Sequence, residues 1–348
     1  MKLTGIDCQI PSKKVLNENI IELVKHYSGS SYNNNIDELE IFVRRLLLTT
    51  GINSRFWRQE NEKPIDFIIE SVENALKMSG LQKNDIDLVI YSSIDRGFIE
   101  PANASFICKA LGLLNVRSFD IVDACMGWAS AVQVANSFLI SSSSVKSVLI
   151  INSEFPMDSQ GAVLPDNFKI KDNDELRWKS ASFTLGEGAS ACIFQKDASV
   201  NNNFEFLEHA QHAESCTVPL PNYEKYMSDL NGNLCQPLSF YAYSSSLIKD
   251  GINPSISVLQ SLLKKLNYEP KIIFPHSVSK KIIRDASFKA GIQSLICSSF
   301  SDLGNLATVS VPSSIKKALK ENLISQNEKG VVWIGSAGMK FSAFEIQL

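Results

Sequence analysis

Residues 119–139, FDIVDACMGWASAVQVANSFL, decide the fold. An apolar run ends at a short turn, and a helix opening on small residues follows almost without a loop. Residues 299–319, SFSDLGNLATVSVPSSIKKAL, repeat that order of strand, short polar turn and small-residue helix start. Two such stretches suggest an internal duplication of about half the chain, not a short-period array. A pseudo-twofold with a site between the halves is then the economical arrangement. Many α/β proteins share this rhythm, and rhythm alone does not separate the two readings.

Working outward, helix and strand signals alternate. Residues 65–79 place Phe67, Ile68, Val72, Ala75 and Leu76 on one helical stripe, and Gly80 ends it. The spacing predicts a strand over 86–93, a helix over 104–112, a helix over 126–140 and then the strand SVLIINS. In the second half it predicts helices over 257–266 and 279–291, with strands at KIIFPHS and GVVWIGSAG. Strands that are apolar on both faces, separated by helices, imply an α/β fold with covered sheets. SSYNNNID (30–37) and SVNNNF (199–204) read as links, the second joining halves at 1–200 and 201–348. The polar stretches 156–180 and 213–238 lack a clear period, as lids or partner surfaces often do.

Composition narrows the function classes. A chain of 348 residues, 44% hydrophobic and 20% charged, can bury a sizeable core. Lys and Arg total 34 against 37 Asp and Glu, a net charge of -3, so no global positive field favours nucleic acid. Seven cysteines, with no CxxC pair, indicate neither a zinc ribbon nor a disulfide framework. MKLTGIDCQI has no apolar signal-peptide core, and runs such as SVLII are too short to span a bilayer. A protein of a reducing cytoplasm, with no membrane or nucleic-acid partner, is expected.

Three side chains stand where chemistry could occur. Cys125 follows an apolar strand at the first turn of a helix, where backbone N–H groups would stabilise a thiolate and receive an oxyanion. His276 follows KIIFP at the C-terminal end of a strand, where functional groups collect in α/β sheets. Asn305, in DLGNLATVS, occupies roughly the place in the second half that Cys125 has in the first. Each has a bland alternative: a packing thiol, a loop histidine, a helix N-cap. His209 and His212 suggest no metal, because no third ligand stands in register and the two would either turn to opposite faces of a strand or border a loop. The cysteines at 8, 108, 192, 216, 235 and 297 read as packing residues.

Together these segments resemble the ketoacyl-ACP synthase III branch of the thiolase superfamily, from near residue 1 to residue 348. TTGINSRFW resembles the family's TGI turn, and DACMGWASA its Ala-Cys-Ala-Gly-Phe run, with Cys125 as the nucleophile. LGEGASACIF is similar to the turn and strand that close the family's first half. PHSVSKKI stands for Pro-His-Gln-Ala-Asn, giving His276 the catalytic histidine role; LGNLATVSVP gives Asn305 the asparagine role. SAGMKFSAFEI resembles the glycine-rich ending, where the Gly338 backbone would border the oxyanion site with Cys125.

The resemblance implies a thiolase fold of two duplicated halves in five αβαβα layers, as a homodimer. It implies an acyl-Cys125 intermediate condensed with a malonyl-type extender on acyl carrier protein, in a specialised fatty-acid or polyketide-type pathway. The phosphopantetheine thioester is then a substrate, and no cofactor is held tightly. Arg45 and Thr49 replace the Trp and Arg that clamp coenzyme A adenine, favouring a carrier-borne donor. YAYSSSL (241–247) stands for the helix start that contacts pantetheine. Ser279 replaces an Asn that holds pantetheine, and Lys281 stands for a carrier-docking Arg within a basic stripe of Lys280, Lys281, Arg284 and Lys289 that could dock an acidic carrier or simply be a solvated face. Glu100, with Phe98 and Trp128, falls at the acyl pocket. Two alternatives remain: acyl transfer to a hydroxyl or amine without decarboxylation, and a non-catalytic partner in a heterodimer.

Overall fold

The computed structural model describes residues 1–157, 161–163, 165–199, 202–225 and 236–348. Cys235, the expected boundary at 200/201, and parts of the stretches 156–180 and 213–238 lie outside the described residues. Strand β1 (Lys2–Gln9) precedes a small hairpin of β2 (Lys13–Leu16) and β3 (Ser54–Trp57), then β4 (Leu88–Ser92), β5 (Arg117–Ile121), β6 (Ser147–Glu154) and β7 (Gly188–Gln195). The second half holds β8 (Phe204–Glu208), the short pair β9 (Cys216–Thr217) and β10 (Tyr241–Ala242), β11 (Ile272–Pro275), β12 (Leu295–Ile296), β13 (Lys329–Ser336) and β14 (Lys340–Gln347).

Two five-stranded sheets have the same plan. The first runs β1-β7-β6-β4-β5 and the second β8-β14-β13-β11-β12. In the first, β4 is parallel to β5 and β6, while β7 lies antiparallel between β6 and β1. In the second, β11 is parallel to β12 and β13, and β14 lies antiparallel between β13 and β8. Matching order and matching strand sense establish the duplication that rhythm alone left open.

The layers follow from which helix faces are apolar. Helix Gly127–Ser141 buries Trp128, Ala129, Ala131, Val132, Ala135 and Leu139 between the two sheets, and leaves Gln133, Ser137 and Ile140 as an exposed stripe. Its partner Ser310–Lys320 buries Val311, Ile315 and Ala318 in the same cluster, with Ile90 and Ile150 from one sheet and Phe274 and Val332 from the other. Helices Pro64–Ser79 and Asn103–Leu111 cover the outer face of the first sheet, where Val72 and Ile107 meet Val89, Leu149 and Ala191. Helices Ser244–Lys265 and Lys280–Ala290 cover the second through Leu259, Leu262 and Ala286. The result is five layers, αβαβα.

One predicted element is too short. The helix expected at 257–266 extends back to Ser244, through Gly251 and Pro254. Gly251 sits where the helix approaches the Met339 and Phe341 side chains, and a Cβ there would lie 3.0 Å from Met339. The breaker residues serve packing rather than termination. Helices Asn17–Ser28 and Ile36–Thr50, absent from the sequence reading, pack over the first half with Val163, Phe168 and Phe183. Of the two placements expected for the histidines, the loop is the one found: His209 follows the end of β8, and His212 lies in a 3-10 segment. No helix of the described residues is long and apolar enough to cross a membrane.

Candidate active site

Cys125 sits on a tight elbow between β5 and helix Gly127–Ser141. Ala124 takes a left-handed φ of 45°, a conformation that costs a non-glycine residue energy and persists only under tertiary constraint. The constraint comes from the second half. The Met126 N–H donates to Ser336 Oγ at 3.0 Å, and Lys340 Nζ pairs with Asp123 Oδ1 at 2.7 Å. Ser130 Oγ donates to the other Asp123 oxygen at 2.6 Å. Residues on both sides of Cys125 are therefore pinned by β13 and β14.

The second half has its own elbow, with Ala307 also at φ 45° ahead of helix Ser310–Lys320. Matching the two alanines puts Thr308, not Asn305, in the place that Cys125 occupies. Asn305 lies just before that elbow. Its N–H donates to Thr184 O at 2.8 Å, and its carbonyl accepts from Gly186 N at 3.0 Å. Its Oδ1 accepts from Ala307 N at 2.9 Å, which commits the amide oxygen and leaves the amide N–H groups to face a ligand. Gly304 holds φ 78°, and a Cβ there would lie 2.6 Å from Thr184 O, so Asn305 is set against the first half by a residue that must be glycine.

His276 follows β11 and is 6% exposed. Its N–H donates to Trp333 O at 2.8 Å, and its Nδ1 has no partner among the described residues. Burial lowers its pKa from the ordinary 6.5 to about 4, so the ring is neutral near pH 7. Strand β13 thus binds His276 through Trp333 and, further along at its end, the Cys125 elbow through Ser336. The two elbows pack on each other, which brings Asn305 to the same junction.

The electrostatics of the thiol differ from the expectation. A helix N-terminus was expected to lower the Cys125 pKa; desolvation instead pushes it well above the ordinary thiol value, with Cys216 and Glu154 adding to the rise. At rest the Cys125 thiol and the His276 imidazole are both neutral.

Other residues singled out by sequence lie elsewhere. Ser279 caps helix Lys280–Ala290, its Oγ accepting from Ile282 N at 3.4 Å. Lys281 and Arg284 project from that helix and both pair with Asp285, at 2.6 and 3.2 Å. Lys280 packs on Gly51, beside the exposed Arg45 and Thr49. Gly338, at φ 116°, lies in the turn between β13 and β14. Trp128 is 1% exposed within the central helix layer, its ring 6.0 Å from Phe344. Glu100 and Phe98 are exposed at the β5 edge, Phe98 stacked on Phe106 at 3.9 Å.

Sequence reasoning missed Glu154, Thr308 and Ser336. Superposing the two halves by strand order would have found them, since β6 ends in Glu154 where β13 ends in Ser336.

Comparison with known proteins bears on this arrangement. The family description 3-oxoacyl-[acyl-carrier-protein (ACP)] synthase III matches residues 119–215. The β-ketoacyl-[acyl-carrier-protein] synthase III of Campylobacter jejuni is 27% identical over 308 residues, covering 84% of this chain and 87% of its own. That of Rickettsia canadensis is 30% identical over 199 residues, covering 57% and 53%. Among solved structures, 3-oxoacyl-[acyl-carrier-protein] synthase III from Aquifex aeolicus superposes with a TM-score of 0.79 at 19% identity, covering 100% and 99%. Xanthomonas campestris OleA does so with 0.82 at 18% identity, covering 100% and 98%.

Proposed function

We propose that this chain is a ketoacyl-ACP synthase III-like condensing acyltransferase, which forms an acyl-Cys125 intermediate and condenses it with a malonyl-type extender. In the first step the Cys125 thiol attacks a donor thioester, and the donor's thiol leaves carrying the proton that Cys125 gives up. In the second, the extender enters with its thioester carbonyl facing His276 and the Asn305 amide. Carbon dioxide leaves, and donors aimed at that carbonyl stabilise the enolate as charge develops. The enolate carbon attacks the acyl group, the Cys125 sulfur departs, and a proton restores the thiol. The product is a 3-oxoacyl thioester.

One observation supports this reading: the Cys125 elbow packs on β13 and on the second elbow, just before which Asn305 stands, and β13 also holds the His276 backbone. A relative in structure supports the substrate class, since Xanthomonas campestris OleA has been crystallised with lauric acid and lauroyl-CoA. Exposed Arg45 and Thr49 provide no aromatic clamp for adenine, which favours a carrier-borne donor docking at Lys280, Lys281 and Arg284. Intact-mass measurements across acyl-CoA and acyl-carrier donors, with and without malonyl-carrier, test it. The expected outcome is one acyl mass added, more readily from carrier donors, and cleared with release of carbon dioxide when malonyl-carrier is supplied. Clearance by an alcohol or amine without carbon dioxide release would reject condensation.

We further propose a homodimer joined at the β5 edges. β5 is an edge strand, and its surroundings expose Ile99 (81%), Leu114 (74%), Val122 (57%) and Phe106 (40%), a patch of the kind that marks an interface. The Asn103 amide holds the loop outward, its Oδ1 accepting from Gly97 N at 3.0 Å and Phe98 N at 3.1 Å, so Glu100 is presented toward the second copy. Leu114→Glu should convert the dimer to monomer in light scattering at micromolar protein. A wild-type monomer would refute the proposal.

A further inference from the structure

Glu154 is a buried carboxylate that the steps above do not use. It ends β6, is 3% exposed, and accepts the Thr308 hydroxyl at 2.5 Å. Its other contacts are the N–H groups of Ile94 at 3.2 Å and Asp95 at 3.3 Å. Burial without a cationic partner is costly for a carboxylate, and it raises the Glu154 pKa to about 7.

Thr308 links this carboxylate to the start of the helix that follows the nucleophile. It occupies in the second elbow the position that Cys125 occupies in the first. Its methyl lies 3.3 Å from where a Cβ on Gly127 would stand, at the first helical residue after the Cys125 elbow. The arrangement is reciprocal: the end of β13 holds the Cys125 elbow through Ser336, and the end of β6 holds the Thr308 elbow through Glu154. At the first junction the strand supplies a neutral hydroxyl, and at the second it supplies an acid.

We propose that Glu154 is a positioning residue, joined through Thr308 to the Cys125 elbow, whose charge sets how readily the Cys125 thiol ionises. This rests on Cys125 being the nucleophile. The groups facing Glu154 are Asp95 on the loop after β4, Tyr91 on β4, the Cys125 thiol and the Thr308 hydroxyl; Glu187, on the turn before β7, faces the same Asp95. None of the ionisable ones is cationic, so burial and Asp95 keep the Glu154 acid neutral until about pH 7. Below that pH the thiol has a neutral neighbour. Above it the carboxylate opposes thiolate formation.

Alkylation of Cys125 by iodoacetamide, followed by intact mass from pH 5.5 to 9 with Cys125→Ala as the blank, reads this directly. The wild-type rate should climb with pH, flatten near pH 7 as Glu154 ionises, and climb again. Glu154→Gln keeps the acceptor for Thr308 but carries no charge, so its profile should rise without the flattening and be about tenfold faster above it. Thr308→Val removes a donor that favours the ionised acid, so the flattening should move to higher pH. A merely structural role would lower the melting temperature and leave the shape of both profiles unchanged. Profiles that superimpose on wild type overturn the proposal, and Thr308→Val decides it should Glu154→Gln fail to fold. Alkylation needs no acyl donor, so a failure here is distinct from a failure of Cys125 to become acylated.

Discussion

Cys125→Ala should leave the protein folded and without acyl transfer. The substitution removes one sulfur from an elbow whose geometry is fixed by its neighbours: Met126 on Ser336, Asp123 on Lys340, and Ala124 at φ 45°. None of those contacts uses the thiol. The melting temperature should therefore stay within a few degrees of wild type, as small changes at partly exposed sites do. Intact mass should show no acyl adduct from any donor, and condensation should fall by a factor on the order of 10³ or more, because a covalent route loses its nucleophile. The decarboxylating half of the site would remain intact. His276 and Asn305 keep their own anchors at Trp333, Thr184 and Gly186, so slow carbon dioxide release from malonyl-carrier should persist in Cys125→Ala. Normal acylation of the alanine variant would sink the mechanism. Six other cysteines make that a genuine risk, and Cys216, close enough to raise the Cys125 pKa, is the one to examine first.

The elbow was legible because a strand-to-helix junction without a loop leaves local marks. Apolar residues run to Ile121, and small residues follow from Gly127. His276 was legible for a similar reason, standing immediately beyond the apolar run of β11. Glu154 left no such mark: it ends an ordinary buried strand, and its meaning depends on Thr308, which reaches it from the other half of the chain. The thiol's electrostatics were misread on the same ground. The helix end is a local feature that sequence displays, whereas burial and the Glu154 carboxylate are tertiary and outweigh it. Asn305 shows the limit of matching halves by eye. Matching at the level of motifs set it opposite Cys125, and only the paired left-handed alanines place Thr308 there. The long helix Ser244–Lys265 runs through Gly251 and Pro254, residues that disfavour a helix interior, and the first of them permits close packing on Met339.

The duplication also gives the site its asymmetry. Two elbows meet at one junction, yet one carries a thiol held by a hydroxyl, and the other a hydroxyl held by an acid. A single ancestral plan thus provides a nucleophile on one side and electrostatic control on the other, with His276 and Asn305 both contributed by the second half.

Removing either donor should separate the two steps of the reaction. His276→Ala and Asn305→Ala should each still take one acyl mass onto Cys125, since the elbow is anchored by Ser336 and Lys340 and not by these side chains. Decarboxylation of malonyl-carrier should fall by about 10²–10³-fold in each, the usual cost of deleting one donor aimed at developing charge. The asparagine variant has a structural side effect, because Oδ1 also accepts from Ala307 N at 2.9 Å and so holds the second elbow. Asn305→Asp keeps that acceptor while losing the donor, and should be as inactive as alanine yet more stable in a thermal melt. The pH response gives a second handle. An imidazole titrating at its ordinary value would gain charge as pH falls from 7 to 5. His276, with a pKa of about 4, stays neutral across that window, and decarboxylation by wild type should be nearly flat there. An activity that halves near pH 6.5 in wild type and is flat in His276→Gln would show instead that the ring is wet and ordinary. Loss of the acyl adduct in both alanine variants would place His276 and Asn305 in the first step, and the division of labour proposed between the two halves would fail.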